Sequence, residues 1–395
     1  MNIAVFSSSG HDSGVTILKD GEIYEVVLEE RLSREKRDPV LYHVFEHAKK
    51  FHELHGLDEI FLINSTKEHY NRALIGLRKH QLQGIPLTVE PLEHHLYHAS
   101  SGFYASGFDE AVCIVIDCFG ANYKLNNLID LGVKEFRMNS DLDPEFEFIE
   151  TTTIYEAQYP NKFDVLWKNF LFEPPNLIGR GIPKKFFEIL NDCKKISVNS
   201  AYDIGIMYEA VSYHLGLGQE NCGKAMGLSA YGKYNEELPR LVMDNGMANM
   251  NVFYTDEFLN VTNHPELKTC DWESTEGADL AWAVQKAMEY ILILRVKQVL
   301  KLKPDTKNIV FSGGCAMNIC ANTVMCEEFP DINFFIDPIA GDAGQTIGAA
   351  QYFHYDETHS MKKNSSTSVY YGQRREITKS QIEREVAKIN NVNYN

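Results

Sequence analysis

The sequence has no pair of cysteines at CxxC spacing, no uninterrupted apolar run near membrane-spanning length, and too few basic residues to balance its acidic ones. Each shortage excludes something. Eight cysteines at 113, 118, 193, 222, 270, 315, 320 and 326 are too scattered for a disulfide scaffold and read as reduced thiols. Cys113, between Val112 and Ile114, reads as a small hydrophobe packed in a strand. A transmembrane helix needs about 20 consecutive apolar residues, and none are present. The start, Met1 to Phe6, lacks a basic n-region and turns polar at Ser7, so no signal peptide and a cytoplasmic location are expected. Lys+Arg at 38 against Asp+Glu at 55 gives a net charge of −17, which opposes direct binding to nucleic acid or to anionic membrane. A small-molecule partner is the expectation that remains.

What is present reads as an α/β chain of 395 residues, long enough for more than one subdomain. Ile3 to Phe6, Val15 to Leu18 and Glu22 to Leu28 predict strands, with Asp20-Gly21 as a hairpin turn. Ala111 to Ile116, ending at Asp117, repeats the opening and suggests two related lobes. Helical spacing predicts helices over 41–54, 203–217 and 278–301, a further helix from Cys315 to Glu327, and one from Gln345 to Tyr355. Ile309 to Phe311 and Phe334 to Ile336 read as short strands. After His359 a Ser- and Lys-rich stretch reads as a linker. The expected divisions are 1–108, 109–355 and a tail over 356–395.

Several constellations could carry chemistry. Gly10-His11-Asp12-Ser13 sits in a polar loop between two strands, suited either to cradling phosphate or to a plain turn. Asp117, followed by Gly120, repeats the pattern in the second lobe. His94 and His98 stand at i and i+4, one helical face and metal-ligand spacing. Chance supplies about 0.5 such pairs among the 14 histidines, and His43/His47 is another, read as solvated or half-buried. Asp342, in a Gly-flanked loop opening a helix, is the candidate third ligand. Two imidazoles and one carboxylate suit Fe(II), Zn or Mn. Gly313, Gly314 and Asn318 lie where a strand passes into a helix, the place for backbone contact with a nucleotide. Gly205 and Glu209 lie one turn apart, where a missing side chain would admit a ribose and the carboxylate would hold its hydroxyls. Aromatic residues between 135 and 200, including Phe146, Phe148, Tyr155, Tyr159, Phe163 and Trp167, are the candidate wall of an acceptor pocket, or an insertion packed on itself.

Taken in order, Gly10-His11-Asp12, Glu29 to Lys36, His94-His95-Leu96-Tyr97-His98, Gly223 to Gly232, Ser312 to Asn318 and Gly341 to Ala350 closely resemble the carbamoyltransferase family of antibiotic-tailoring and nodulation enzymes. Its main domain is related to the tRNA threonylcarbamoyl-transfer protein. The resemblance implies a duplicated actin-like ATP-binding fold with two lobes around a nucleotide cleft. It implies ATP or a carbamoyl adenylate in that cleft, and a divalent metal, Fe(II) ahead of Zn, Mn or Mg, held by His94, His98 and Asp342. The adenosine side would fall to Gly205, Glu209, Gly313, Gly314 and Asn318, and the phosphate side to Gly10, Asp12, Ser13, Asp117 and Gly120. His11 is the candidate base, and Lys36 or Lys224 the candidate cation for the oxyanion or phosphate.

The implied reaction moves a carbamoyl group from carbamoyl phosphate, by way of the adenylate, to a hydroxyl of a small-molecule, sugar or nucleotide acceptor. A threonylcarbamoyl-type transferase acting on a nucleobase and a non-catalytic nucleotide-binding regulator are the alternatives. Three departures stand out: Cys118 replaces the usual glycine after Asp117, Ala230 replaces the proline of Pro-Tyr-Gly, and the family's second, adenylate-forming domain is not expected after the linker. A separate adenylate-forming protein is therefore an expected partner, and a homodimer is left open.

Overall fold

Alternate residues of the first strand, β1 (Ile3–Ser7), enter two different cores. Ile3 and Val5 pack with Tyr97, Ala349 and Phe353, while Ala4 and Phe6 pack with Val44, Phe45 and Phe51. A strand covered by helices on both faces has no polar side, which is why this run is apolar throughout rather than alternating. The computed structural model describes residues 1–8, 11–64, 67–90, 93–124, 147–173, 195–199, 203–218, 221–243, 248–249, 253–255, 261–263, 270–363, 369–372 and 378–387.

β1 is the centre of a sheet ordered β3-β2-β1-β4-β5. β2 (Gly14–Lys19) and β3 (Glu22–Leu28) are antiparallel, and β4 (Glu59–Ile63) and β5 (Leu87–Val89) parallel. Asp20 and Gly21, at φ 53° and 82°, make the turn between β2 and β3 with both central residues left-handed, as expected. The second sheet repeats the plan around β6 (Glu110–Ile116), after which come β7 (Asn122–Lys124), β8 (Glu147–Gln158), β9 (Lys162–Glu173) and β10 (Ile196–Asn199). β11 (Phe253–Thr255) and β12 (Val261–Asn263) form a separate ribbon, and β13 (Asn308–Ser312) and β14 (Asn333–Ile336) return to the sheet. Its order is β10-β9-β8-β6-β13-β14, with β8 and β9 antiparallel and β13 and β14 parallel. One five-strand order with one set of directions, found twice, is the duplicated actin-like plan.

The helices are α1 (Glu29–Ser33), α2 (Val44–His55), α3 (Lys67–Lys79), α4 (His94–Ser106), α5 (Ile204–His214), α6 (Cys222–Leu228), α7 (Thr275–Leu302), α8 (Ile319–Glu328), α9 (Gln345–Thr358) and α10 (Lys379–Ala387). Residues of α2 and α3 cover the outer face of the first sheet. Those of α5, α7 and α8 cover the outer face of the second, against Val112, Ile114 and Ile116. α4 and α9 lie between the sheets, α4 against Cys113, Val115 and Val310, and α9 against β1 and Phe61. Their close crossing depends on Gly348, where an added Cβ would lie 2.0 Å from the Tyr97 carbonyl oxygen. No described helix is long and apolar enough to cross a membrane.

Several boundaries depart from the sequence expectation. α2 starts at Val44 rather than 41, because the buried Glu29 carboxylate accepts the amides of Tyr42, His43 and Val44 and caps the helix from outside. His43 is exposed and His47 half-buried, as expected, and their Nδ1 atoms also meet Glu29 at 2.5 Å and Glu25 at 3.1 Å. The helix expected from Cys315 to Glu327 is broken at Asn318, whose side chain accepts the Ala321 amide and starts α8. Described residues on either side of 364–368 touch the body: Val26 N–H donates to the Tyr371 carbonyl at 3.0 Å, and Lys363 pairs with Asp109 at 2.7 Å. Among the aromatics expected to wall a pocket, Phe148 and Tyr155 are buried in the second sheet and Phe163 packs on Phe103; Phe146 lies outside the described residues.

Gly348→Ala is expected to cost about 1–3 kcal/mol or more by overpacking the α4/α9 crossing. Gly84→Ala, with nothing near its added Cβ, should stay within about 0.5 kcal/mol. Equal midpoints for the two variants in urea unfolding would refute this account of the crossing.

Candidate nucleotide cleft and metal site

The two turns of α4 nearest its start carry His94 and His98, both buried. Their Nε2 atoms lie 3.2 Å apart, and each lies 3.2 Å from Asp117 Oδ2, at the end of β6. Asp342 Oδ1, from the turn before α9, lies 3.4 Å from His94 Nε2 and 3.3 Å from His98 Nε2. All four donors fall within 4.8 Å of one another. Metal–ligand bonds of about 2.0–2.2 Å in a tetrahedral shell put donors about 3.3–3.6 Å apart, so the spacing fits a single small divalent ion. The structure thus brings together the expected His94, His98 and Asp342, and adds Asp117, which was expected on the phosphate side.

The electrostatics of the cluster point the same way. Burial works against a charged His98, yet hydrogen bonds and charges from Asp117 and Asp342 lift it to about 10. Burial likewise opposes ionisation of Asp117 and Asp342, but the imidazoles hold both carboxyls below the usual carboxylate range. Two ionised carboxylates in a low-dielectric pocket favour positive charge between them, and a divalent ion supplies it as well as a proton does. Gln345, fully buried, donates to Asp342 Oδ1 at 2.7 Å, while its carbonyl accepts from Asn64. The same amide nitrogen lies 3.2 Å from His94 Nε2 and 3.3 Å from His98 Nε2, so Gln345 reaches into the cluster itself.

Beside the cluster opens a cleft of 620 Å³, lined from the first lobe by His11, Asp12, Glu30, Lys36 and Arg37 and from the second by Asp117, Gly205, Glu209, Gly314 and Asn318, among others. His11 Nδ1 lies 2.7 Å from Asp12 Oδ2 and 3.6 Å from Asp342 Oδ2, so the first loop touches the cluster. The Asp12 hydrogen bond, against partial desolvation, raises the His11 pKa. Lys36 and Arg37 are the only Lys or Arg among the described residues lining this otherwise acidic cleft.

Other expected residues are placed differently. Lys224 is exposed on α6 and does not line the cleft, because its neighbours Cys222, Gly223 and Met226 take that face. Ser13 is buried and donates to the Pro39 carbonyl at 2.9 Å, tying the loop to the chain before α2. Gly120 packs inward: an added Cβ would meet Glu150 Cγ at 2.3 Å and His95 Nε2 at 2.8 Å. Gly205 makes room for Cys118, whose backbone nitrogen would lie 3.1 Å from an added Cβ. Cys118 is not among the residues with positive φ, so the loop after β6 does not need the glycine it lacks. Gly313, at φ 86°, approaches the Ile116 carbonyl. Asn318 exchanges hydrogen bonds with Gln285, joining α7 to the start of α8 at the cleft edge. Gly10 lies outside the described residues.

Sequence reasoning missed Gln345, Arg37 and the buried Glu150–Lys168 pair. Gln345 follows the Gly341-Asp342-Ala343-Gly344 loop directly, and Arg37 adjoins Lys36, so both stood beside a recognised pattern. Nothing in the local sequence marks Glu150 or Lys168.

Residues 43–351 match the family model for the carbamoyltransferase N-terminus. An uncharacterized protein of Synechocystis sp., sll1178, is 25% identical over 451 residues, covering 97% of this chain and 62% of that protein. The nodulation protein NolNO of Sinorhizobium fredii is 23% identical over 399 residues, covering 92% of this chain and 49% of that protein. The chain therefore spans less than two thirds of the length of each of these curated relatives. HypF of T. kodakarensis superposes with a TM-score of 0.46 at 13% identity, covering 89% of this chain and 48% of that one.

Metal titration checks the cluster. His98→Ala and Asp342→Ala are each expected to weaken binding of a divalent ion by more than the ~10–100-fold that loss of an outer-shell partner costs. His43→Ala, at the other i, i+4 histidine pair, is expected to leave it unchanged, and equal affinity in all three would remove the cluster from consideration.

Proposed function

Because the chain belongs to the carbamoyltransferase family, we propose that it transfers a carbamoyl group from a carbamoyl adenylate to the hydroxyl of a small-molecule, sugar or nucleotide acceptor. The observation that carries this reading is the convergence of His94, His98, Asp117 and Asp342 at the edge of a cleft lined by both lobes. ATP and carbamoyl phosphate are the sources of the adenylate.

In this reading the nucleotide lies along the cleft, its ribose hydroxyls donating to Glu209 and its adenosine side against Gly314 and Asn318. A carboxylate can accept from two hydroxyls at once, and close backbone at Gly313-Gly314 lets N–H groups approach the ligand. The residue set fits a divalent ion, which when bound supplies Lewis-acid stabilisation of phosphate or carbonyl oxygen. Lys36 and Arg37 add positive charge at the mouth of the cleft.

His11 takes the acceptor's proton. An imidazole whose Nδ1–H donates to Asp12 presents its basic lone pair on Nε2, and the carboxylate steadies the charge that the ring gains. The acceptor oxygen bonds to the carbamoyl carbon, the bond from that carbon to the AMP phosphate oxygen breaks, and AMP leaves. The substituted thiol at the loop stays out of the chemistry, because burial and then Glu209 keep Cys118 protonated, well above its ordinary range.

With ATP, carbamoyl phosphate and an adenylate-forming protein supplied, mass spectrometry should detect a carbamoylated acceptor. His11→Asn is expected to lower kcat by about 10²–10⁴-fold while the nucleotide Kd is unchanged. Tight nucleotide binding with background turnover on every acceptor would overturn transfer in favour of a regulator.

A further inference from the structure

Glu150 and Lys168 are buried side by side on β8 and β9, with the Lys168 Nζ 2.6 Å from Glu150 Oε2. A buried ion pair is weak evidence of a role in stability, since apolar residues of similar volume often serve as well. The free oxygen of this carboxylate, however, makes bonds that an apolar residue cannot. Glu150 Oε1 accepts the backbone N–H of His95 at 3.0 Å and that of Ala121 at 3.0 Å. The first lies in the opening turn of the helix that carries His94 and His98, and the second in the loop that follows Asp117.

The main chain makes the same link. Gly120 N–H donates to the Glu150 carbonyl at 2.8 Å, Glu150 N–H donates to Ala121 at 3.1 Å, and Asp117 N–H donates to Thr151 at 3.0 Å. Gly120 is a glycine because Glu150 Cγ and the His95 ring fill the space a side chain would need. Lys168 in turn donates to Tyr123 Oη at 2.7 Å and is stacked over that ring. This fixes the carboxylate from its far side.

We infer that Glu150, held by Lys168, is a positioning residue for the metal site, setting the distance between the imidazoles of α4 and the carboxylate of Asp117. The inference rests on the metal reading above. Loss of an outer-shell partner typically weakens metal binding by about 10–100-fold, and this one spans two ligand-bearing segments rather than one.

The test is anaerobic Co(II) titration of the full chain, reading both Kd and the d–d absorption bands. Glu150→Gln strands a buried ammonium and keeps an acceptor oxygen, so the main variant is the apolar double substitution Glu150→Leu with Lys168→Met, which removes the acceptor of the His95 and Ala121 amides. Glu150→Asp keeps the pair but shortens its reach, and serves where the double variant does not fold. Ile154→Val, a buried core change on the same strand, controls for general destabilisation. The expected result is a Kd weakened about 10–100-fold with altered d–d bands in the Glu150 variants, against wild-type values in Ile154→Val. Wild-type Kd and bands in the folded Glu150 variants would overturn the positioning role and leave the metal reading intact. Failure of the wild-type protein to bind Co(II), Zn(II) or Fe(II) would overturn both.

Discussion

Two carboxylates, Asp117 and Asp342, face two imidazoles in a nearly dry pocket, and their charge must be balanced there or not at all. Coulomb interactions that water would weaken to about 1 kcal/mol at 4 Å are several times stronger where the effective dielectric is low. The arrangement is therefore selective for positive charge, and it also fixes how the two lobes meet. Asp117 ends the central strand of the second sheet, Asp342 stands before the helix that returns to the first, and His94 and His98 lie on the helix between them. Moving either sheet by a fraction of its strand spacing would separate the donors.

The fold supplies that rigidity through duplication. In each sheet the central strand is apolar on both faces because helices cover both, and each ends in a polar loop at the same side of the molecule. The loops at His11-Asp12 and at Asp117 are consequently brought to one cleft, with His11 3.6 Å from Asp342. Small residues allow the approach: Gly348 where α4 and α9 cross, Gly205 beneath Cys118 and Gly120 beneath Glu150. Gly120, expected on the phosphate side, thus makes room for protein, while Gly205 makes room for Cys118 and lines the cleft as well.

Much of this was legible in the order of residues alone. The Asp20-Gly21 hairpin, the repeated strand-and-loop units, the long α7 and the His94/His98 pair each follow from local periodicity or from turn chemistry that a few neighbouring residues specify. Asp342, more than two hundred positions from the histidines, was joined to them first as a carboxylate in a Gly-flanked loop and then by the family resemblance, since spacing by itself cannot link residues so far apart. Lys224 shows the limit of pattern matching, since it belongs to a recognisable stretch yet is exposed away from the cleft, while its neighbours Cys222 and Met226 line it.

The chain by itself determined the strands β1, β2, β3, β6, β13 and β14, the helices α2, α5, α7, α8 and α9 to within a few residues, and the residue types available for binding a cation and a nucleotide, because those depend on contacts within a turn or two. Only tertiary packing decided that Asp117 joins the imidazoles, that Glu150 pairs with Lys168 beneath them, and that Gln345 braces Asp342. A carboxylate or an amide carries no local sign of its partner. Its role comes from which distant segment the folded sheets press against it and from the cost of leaving a buried charge or hydrogen-bonding group unmatched.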